Sequence, residues 1–163
     1  MLKQLNQHHL INSAHIDGNK ITWIQKDSTG FSIYYKNLAT GYKTKIYSSK
    51  QLISNQDISG SRVVWEQYDI NNKSTIYYKN LATGTSGKVM HSSLNQNNAK
   101  ISGTRIVWVQ EMVSGEGAIY ERNLASNFIG KLYASPYTRD PLIFPEQKLY
   151  GNRHFNQVKT GSI

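Results

Sequence analysis

The chain has 163 residues, of which 38% are hydrophobic and 18% charged, and its nineteen Lys and Arg against ten Asp and Glu give a net charge of +9. This length and composition fit one folded domain and exclude a disordered chain or a membrane-spanning run, while the lack of cysteine excludes thiol nucleophiles, zinc ribbons and disulfide frameworks. The positive charge is spread along the chain, which favours a cationic surface over a specific nucleic-acid groove. The N-terminal residues contain no continuous apolar run, so no signal peptide is visible.

The first predicted element is a strand that opens the chain. Residues 5–16 read LNQHHLINSAHI and parallel residues 93–101, which read SLNQNNAKI. We therefore expect the chain to open with the last strand of a repeat unit whose remainder is missing.

An internal repeat organises the rest of the chain. IYYKNLATG occurs at 33–41 and again, letter for letter, at 76–84, and a third copy at 119–127 reads IYERNLASN. Upstream of these copies lie three related blocks, IDGNKITW, ISGSRVVW and ISGTRIVW, whose tryptophans are 42 and 43 residues apart. A repeat with this period is typical of a solenoid, a propeller or another array of similar units.

Each repeat predicts about four short strands, because the repeated blocks are rich in β-branched and aromatic residues and lack helical periodicity. Between the tryptophan and the next repeated isoleucine lie polar segments that differ in length and sequence: KDSTGFS, QYDINNKST and EMVSGEGA. Such variation is typical of exposed hairpin tips. The glycines of the ISG blocks, Gly60 and Gly103, are placed where tight turns require a positive φ.

The pattern ISG-x-R-[VI]-V-W, followed by IYYKNLATG and a short strand, resembles the TolB-like β-propeller repeats of methanogen and bacterial cell-surface proteins. The resemblance covers roughly residues 10–135. It implies an all-β fold of about three four-stranded antiparallel blades, forming a partial propeller that association could complete, and an extracellular or cell-surface location. It implies no catalytic residues, since these families share none. A β-trefoil, which also has three repeats of about 40 residues, is the alternative fold.

The repeats divide the chain into approximate units at 10–52, 53–95 and 96–135, within a propeller region at 1–135. Residues 136–163 contain all three prolines and are predicted to be a degenerate partial repeat followed by a disordered tail.

The repeated aromatic residues are interpreted as structural core. Trp23, Trp65 and Trp108 hold one strand position, and the same interpretation applies to Tyr35 and Tyr78, which lie in the paired tyrosines of the next block. An aromatic ring around a ligand is the alternative for the tryptophans.

Three cations also share one repeat position, which is held by Lys36, Lys79 and Arg122. They are interpreted as charges at strand edges that keep each unit soluble, rather than as an anion-binding ring.

The sequence contains none of the catalytic or cofactor motifs considered. The five histidines lack metal-ligand spacing, no G-x-S-x-G or calcium-loop pattern is present, and the glycines are spaced as turns rather than as a phosphate-binding loop. We therefore predict a protein that is not an enzyme and that takes no metal or cofactor.

The predicted function is a non-catalytic binding or scaffold module with a protein or polysaccharide ligand. The variable loops 25–32, 67–75 and 110–118 form the expected binding face, and their candidate residues are Lys26, Asp27, Tyr68, Asp69, Glu111 and Glu116. The alternatives are a carbohydrate-binding trefoil lectin and a fragment of a propeller hydrolase or lyase. An unclosed row of blades leaves apolar faces in water, so self-association or a partner chain is expected to complete the propeller.

Overall fold

A computed structural model describes residues 10–113 and 115–134, and every regular element within them is a β-strand. The strands are β1 (Leu10–Asp17), β2 (Lys20–Asp27), β3 (Gly30–Asn37), β4 (Lys43–Ser49), β5 (Ile53–Ser59), β6 (Arg62–Tyr68), β7 (Ser74–Asn80), β8 (Ser86–Lys88), β9 (Gln96–Ser102), β10 (Arg105–Glu111), β11 (Gly117–Asn123) and β12 (Phe128–Ala134). The predicted tail at 136–163 lies outside the described residues. Within the described ranges no helix is long and apolar enough to cross a membrane.

Four consecutive strands make each sheet, so the chain builds three antiparallel sheets in order: sheet 1 from β1–β4, sheet 2 from β5–β8 and sheet 3 from β9–β12. Two kinds of tight turn enforce this meander. Gly60 and Gly103 adopt φ values of 59° and 57° in the turns between the first two strands of sheets 2 and 3. Between the third and fourth strands of sheet 2, the Asn80 side chain accepts a hydrogen bond from the Ala82 N–H at 3.0 Å. Both turns are short enough that the strands they join must pair with each other.

The opening strand differs from its expected role. β1 is hydrogen-bonded to β2 along its length, with Ile16 opposite Ile21, and it is therefore the first strand of sheet 1. The physical reason is the turn at Gly18, whose φ is 53° and which leaves room only for a tight hairpin. In each repeat, the strand before this glycine turn pairs with the strand after it, so both strands belong to the same sheet.

The sheets stack face to face. We call the face that carries the tryptophan of a sheet its front face, and the opposite face its rear face. The rear face of sheet 1 packs on the front face of sheet 2, and the buried members of this cluster are Ile24, Ile33, Ile46, Ile53, Ile58, Val63 and Trp65. The rear face of sheet 2 packs on the front face of sheet 3, with Val64, Ile76, Val89, Ala99, Ile101, Ile106 and Trp108 buried between them. Sheet 2 is thus covered on both faces.

Repeated cations tie neighbouring sheets together. Lys79 Nζ of sheet 2 donates to the Ile46 carbonyl of sheet 1 at 3.0 Å. Arg122 of sheet 3 makes the equivalent bond to the Val89 carbonyl of sheet 2 at 2.8 Å. The expectation that these residues are solvated edge charges is therefore wrong for Lys79 and Arg122, because the Ile46 and Val89 carbonyl oxygens lie within reach of the next sheet.

Candidate functional site

The six predicted binding residues separate into two groups. Tyr68 and Glu111 line a common crevice between sheets 2 and 3, at the ends of β6 and β10. The other four do not line it. Asp27 and Lys26 lie on the hairpin of sheet 1, where Asp27 accepts a bond from the Thr29 N–H at 2.8 Å and Lys26 Nζ lies 5.3 Å from the centre of the Phe31 ring.

Asp69 and Glu116 belong to hairpin tips beside the crevice. The Asp69 carboxylate accepts bonds from the backbone N–H groups of Asn71 at 2.8 Å and Lys73 at 3.0 Å, so it shapes the tip of its own hairpin. The Glu116 backbone carbonyl accepts a bond from the Met112 N–H at 2.6 Å across the base of the next tip. The predicted loops therefore supply two of the six named residues to the crevice.

The crevice has a volume of 430 Å³ and is lined almost entirely by polar residues. We call it the asparagine crevice. Its lining comprises Asn55, Glu66, Tyr68, Asn72, Ser74, Asn95, Asn97, Asn98 and Glu111. Strands β5, β6 and β7 of sheet 2 contribute one side, and β9 and β10 of sheet 3 contribute the other. A ligand held here would therefore contact both sheets.

A buried carboxylate forms the floor of the crevice. Glu66 is 1% exposed and accepts hydrogen bonds from Ser54 Oγ at 3.0 Å, Asn55 Nδ2 at 2.9 Å and the Asn98 N–H. In sheets 1 and 3 the same position, directly after the tryptophan, holds Ile24 and Val109. A carboxylate can remain in such a buried place because each of its oxygens accepts a hydrogen bond.

The rim of the crevice carries a second carboxylate that orients two amides. Asn95 and Asn97 donate through Nδ2 to Glu111, at 2.7 Å and 3.2 Å. Their Oδ1 atoms accept from the N–H and Oγ of Ser74, at 3.0 Å and 2.7 Å. Both side chains are fixed at each end, so the rim presents an ordered row of donors and acceptors.

Tyr68 is the aromatic member of the crevice. Its hydroxyl lies 3.4 Å from the Glu66 carboxylate. Burial raises the pKa of the Tyr68 hydroxyl, a hydrogen bond with Ser54 partly opposes this rise, and the negative charges of Glu66 and Glu111 add to it. The hydroxyl is therefore protonated at neutral pH and acts as a donor.

No cation neutralises the two carboxylates within the described part of the chain. The ion pairs found there join His15 with Asp57 and Arg105 with Glu121. The crevice is thus locally negative on a chain whose net charge is positive. Residues 10–113 and 115–134 also bring together no group of three His, Asp or Glu side chains that could hold a metal ion.

The residues predicted as core differ in burial from sheet to sheet. Trp65 and Trp108 are each 1% exposed, whereas Trp23, on the uncovered front face of sheet 1, is half-buried. Tyr35 and Tyr78 are half-buried and pack against the two core clusters from the rear faces of sheets 1 and 2.

Comparison with solved structures identifies the architecture. TolB from Acinetobacter baumannii superimposes with a TM-score of 0.60 at 21% identity, over 76% of this chain and 32% of that one. The β-propeller domain of the Trilobed protease from Pyrococcus furiosus gives a TM-score of 0.65 at 12% identity, over 78% and 43% of the two chains. The three sheets have the fold of β-propeller blades, as in TolB. The prediction of propeller blades is confirmed, and the β-trefoil alternative is wrong because each repeat forms a sheet of its own.

The propeller neighbours have different activities. An oligogalacturonate lyase in complex with manganese also matches, with a TM-score of 0.64 at 16% identity, over 82% of this chain and 44% of that one. No family model and no curated protein matches the sequence. The chain spans about a third to a half of the length of these three structures. At these identities the likeness establishes the fold and leaves the activity to be argued from the crevice.

Proposed function

We propose that this chain is a non-catalytic binding segment of a β-propeller, and that the asparagine crevice takes a neutral, hydroxyl-rich ligand such as an oligosaccharide. The observation that carries this proposal is the row of oriented amides and carboxylates between sheets 2 and 3. Sugar hydroxyls both donate and accept hydrogen bonds, and this lining offers both functions within one crevice.

Charge narrows the ligand class. Glu66 and Glu111 have no cationic partner among the described residues, so an anionic ligand would meet two carboxylates at close range. This argues against uronic-acid chains and phosphorylated ligands. It also separates the crevice from a site suited to oligogalacturonate, the substrate named for the neighbouring lyase, because that substrate is a polyanion.

A cell-surface or envelope setting is part of the proposal. The support for it is the resemblance of the ISG-x-R-[VI]-V-W and IYYKNLATG blocks to repeats of surface proteins. An external polysaccharide is the kind of ligand that such a setting supplies, and a hydroxyl-rich ligand agrees with the hydrogen-bond donors and acceptors of the crevice.

The first test is a glycan array that carries neutral and uronic-acid chains, followed by calorimetric titration of the best neutral ligand. We expect Glu111→Gln and Asn97→Ala each to weaken binding by about tenfold, because each removes one partner of an ordered hydrogen-bonded pair. The matched control is Asn71→Ala, whose exposed side chain lies at the tip of the neighbouring hairpin outside the crevice. It should bind like the unaltered chain.

Two results would contradict the proposal. Binding confined to acidic glycans would show that the local negative charge does not select the ligand. Shortened products in mass spectra of the bound glycan after incubation would show that the segment is catalytic, as the lyase alternative requires.

A further inference from the structure

Among the described residues, no sheet covers the front face of sheet 1 or the rear face of sheet 3, and both faces carry exposed apolar side chains. On the front face of sheet 1, Ile16 is 64% exposed, whereas its counterparts Ile58 and Ile101 are 4% and 8% exposed. On the rear face of sheet 3, Ile119 is 40% and Leu132 55% exposed. Faces of this kind in a stack of repeats are the places where a further repeat packs.

The interface between sheets 1 and 2 shows how a rear face covers a front face. Tyr47, at the fourth-strand bulge of sheet 1, packs on Trp65 with ring centres 4.7 Å apart. Next to it, the Ile46 carbonyl accepts the bond from Lys79 Nζ. These two contacts join a fourth strand to the tryptophan and the cation of the next sheet.

Sheet 3 carries the same elements on its uncovered rear face. Tyr133 pairs with Ile119 as Tyr47 pairs with Ile33, and in both strands the next ladder pair is shifted by a bulge. Leu132 is therefore the counterpart of Ile46, and Tyr133, which is 57% exposed, is the counterpart of Tyr47. The rear face of sheet 3 is formed like the face that covers Trp65.

Sheet 1 carries the matching elements on its uncovered front face. Trp23 stacks on Tyr34 with ring centres 5.4 Å apart, as Trp65 stacks on Tyr77 in sheet 2. Lys36 occupies the repeat position of Lys79. The front face of sheet 1 therefore presents the tryptophan and the cation that a rear face receives.

One substitution places a carboxylate on the rear face of sheet 3, where sheet 2 has a tyrosine. At the interface between sheets 2 and 3, the cation Arg122 lies 5.4 Å from the centre of the Tyr78 ring. The rear-face position of Tyr78 is held by Glu121 in sheet 3. A front face placed on sheet 3 as sheet 3 is placed on sheet 2 would thus bring Lys36 beside the Glu121 carboxylate, which also lies 3.4 Å from Arg105 Nη1 of its own sheet.

We propose that a second copy of this chain covers these faces, with the rear face of sheet 3 on the front face of sheet 1 of the other copy. Tyr133 then packs on Trp23, and Lys36 pairs with Glu121 while it donates to the Leu132 carbonyl. The described strands of two copies form six blades, within the range of about four to eight found in closed propellers, and those of three copies form nine. The interface is heterologous and the pair closes because each copy offers both faces.

The test measures mass in solution by light scattering coupled to size-exclusion chromatography, over a wide range of protein concentrations. The unaltered chain should have twice the 18.5 kDa of a single chain. Lys36→Glu and Glu121→Lys should each weaken the dimer by about tenfold or more, because each places like charges opposite one another. The double variant carrying both changes should regain the dimer. Lys50→Glu makes the same charge change at an exposed residue of the loop between β4 and β5, and should dimerise normally.

Each possible result bears on the proposal. A monomer at every concentration would overturn it and show that something other than a second copy covers the faces. A dimer that neither single variant weakens, or that the double variant fails to restore, would overturn the assigned interface. If a single variant fails to fold by circular dichroism, Tyr133→Asp replaces it, since this exposed edge-strand residue lies on the same rear face; a dimer unaffected by that change would equally overturn the interface.

Discussion

Sheet 2 and sheet 3 are built from nearly the same residues, yet their rear faces differ in exposure. In sheet 2, Val64 and Ile76 are fully buried, whereas their counterparts in sheet 3, Val107 and Ile119, are 37% and 40% exposed. The side chains are of the same kind and the strands share one register. The difference therefore comes from the neighbouring sheet alone, and in a stack of blades burial depends on the stacking as much as on the residue.

The front faces differ in exposure in the same way, and this difference indicates which contacts stabilise the fold. Interfaces between sheets contain the apolar clusters, the buried tryptophans and the cation-to-carbonyl bonds. A single blade has none of these on an uncovered face. We therefore expect the energetic effect of a substitution to follow the number of sheets that contact it.

The largest expected effect is the difference in stability loss between substitutions of a covered and an uncovered tryptophan. Trp65→Ala should lower the free energy of unfolding by about 3–5 kcal/mol, because it empties a fully enclosed site. Trp23→Ala should lower it by only about 1–2 kcal/mol, since the ring is half-buried and contacts Tyr34 and Lys43 of its own sheet. Urea unfolding at low protein concentration measures both values. Equal losses of stability in the two variants would contradict the expected difference between covered and uncovered faces. A Trp23→Ala loss that grows with protein concentration would show that Trp23 stabilises an associated form of the chain.

A smaller effect is expected for one isoleucine position of the repeat. Ile76→Ala, which opens a cavity between sheets 2 and 3, should cost about 2–4 kcal/mol. Ile119→Ala makes the same change on the uncovered rear face and should cost about 1 kcal/mol at a concentration where the chain is monomeric. The control Ile70→Ala, at a hairpin-tip residue that is 84% exposed, should change stability by less than about 0.5 kcal/mol. If Ile119→Ala lowers the free energy of unfolding as much as Ile76→Ala does, the exposure of the side chain does not determine the size of the loss.

Much of this fold could be predicted from the sequence, because three repeats carry the same pattern of strands and turns. The identical IYYKNLATG blocks and the evenly spaced tryptophans indicate similar sheets, and the polar segments between them indicate hairpin tips. A periodic pattern does not by itself show which strand begins each sheet, which is why β1 was expected to belong to a preceding unit. The short turn at Gly18 indicates that β1 pairs with β2, since the strands on either side of such a turn must pair.

The candidate site was harder to predict, because its two sides come from different repeats. Tyr68 and Glu111 were among the predicted loop residues, and the structure places them at the ends of β6 and β10, where both line the crevice. Glu66 and the asparagines of β9 were missed, since no local pattern shows that the start of one sheet packs against the hairpin of the sheet before it. Two signals were present in the sequence: a carboxylate where the other repeats have Ile24 and Val109, and the run of amides at 95–98.

The smallest expected effect distinguishes the two internal interfaces by pH. Tyr47 packs on Trp65 between sheets 1 and 2, whereas its counterpart between sheets 2 and 3 is Met90, which does not ionise. Burial raises the pKa of Tyr47 above its usual value of 10.0, the neighbouring Tyr77 adds to the rise, and the hydrogen bond to Gln67 partly opposes it. A group whose pKa is higher in the folded state stabilises the fold fully below its unfolded pKa, and this contribution is lost as the pH rises through the folded value.

Stability should therefore fall as the pH rises above 10, and Tyr47→Phe should fall less steeply than the unaltered chain. Urea unfolding at pH 8 and at several values above 10 measures the two slopes. Tyr42→Phe, at a tyrosine that is 61% exposed, should keep the slope of the unaltered chain. If Tyr47→Phe also keeps that slope, the ionisation responsible lies elsewhere, and Tyr68, whose pKa burial also raises, becomes the residue to change. A reduced slope would show that the loss of stability at high pH arises at the interface between sheets 1 and 2. Tyr47 ionises there, whereas Met90 occupies the same position between sheets 2 and 3.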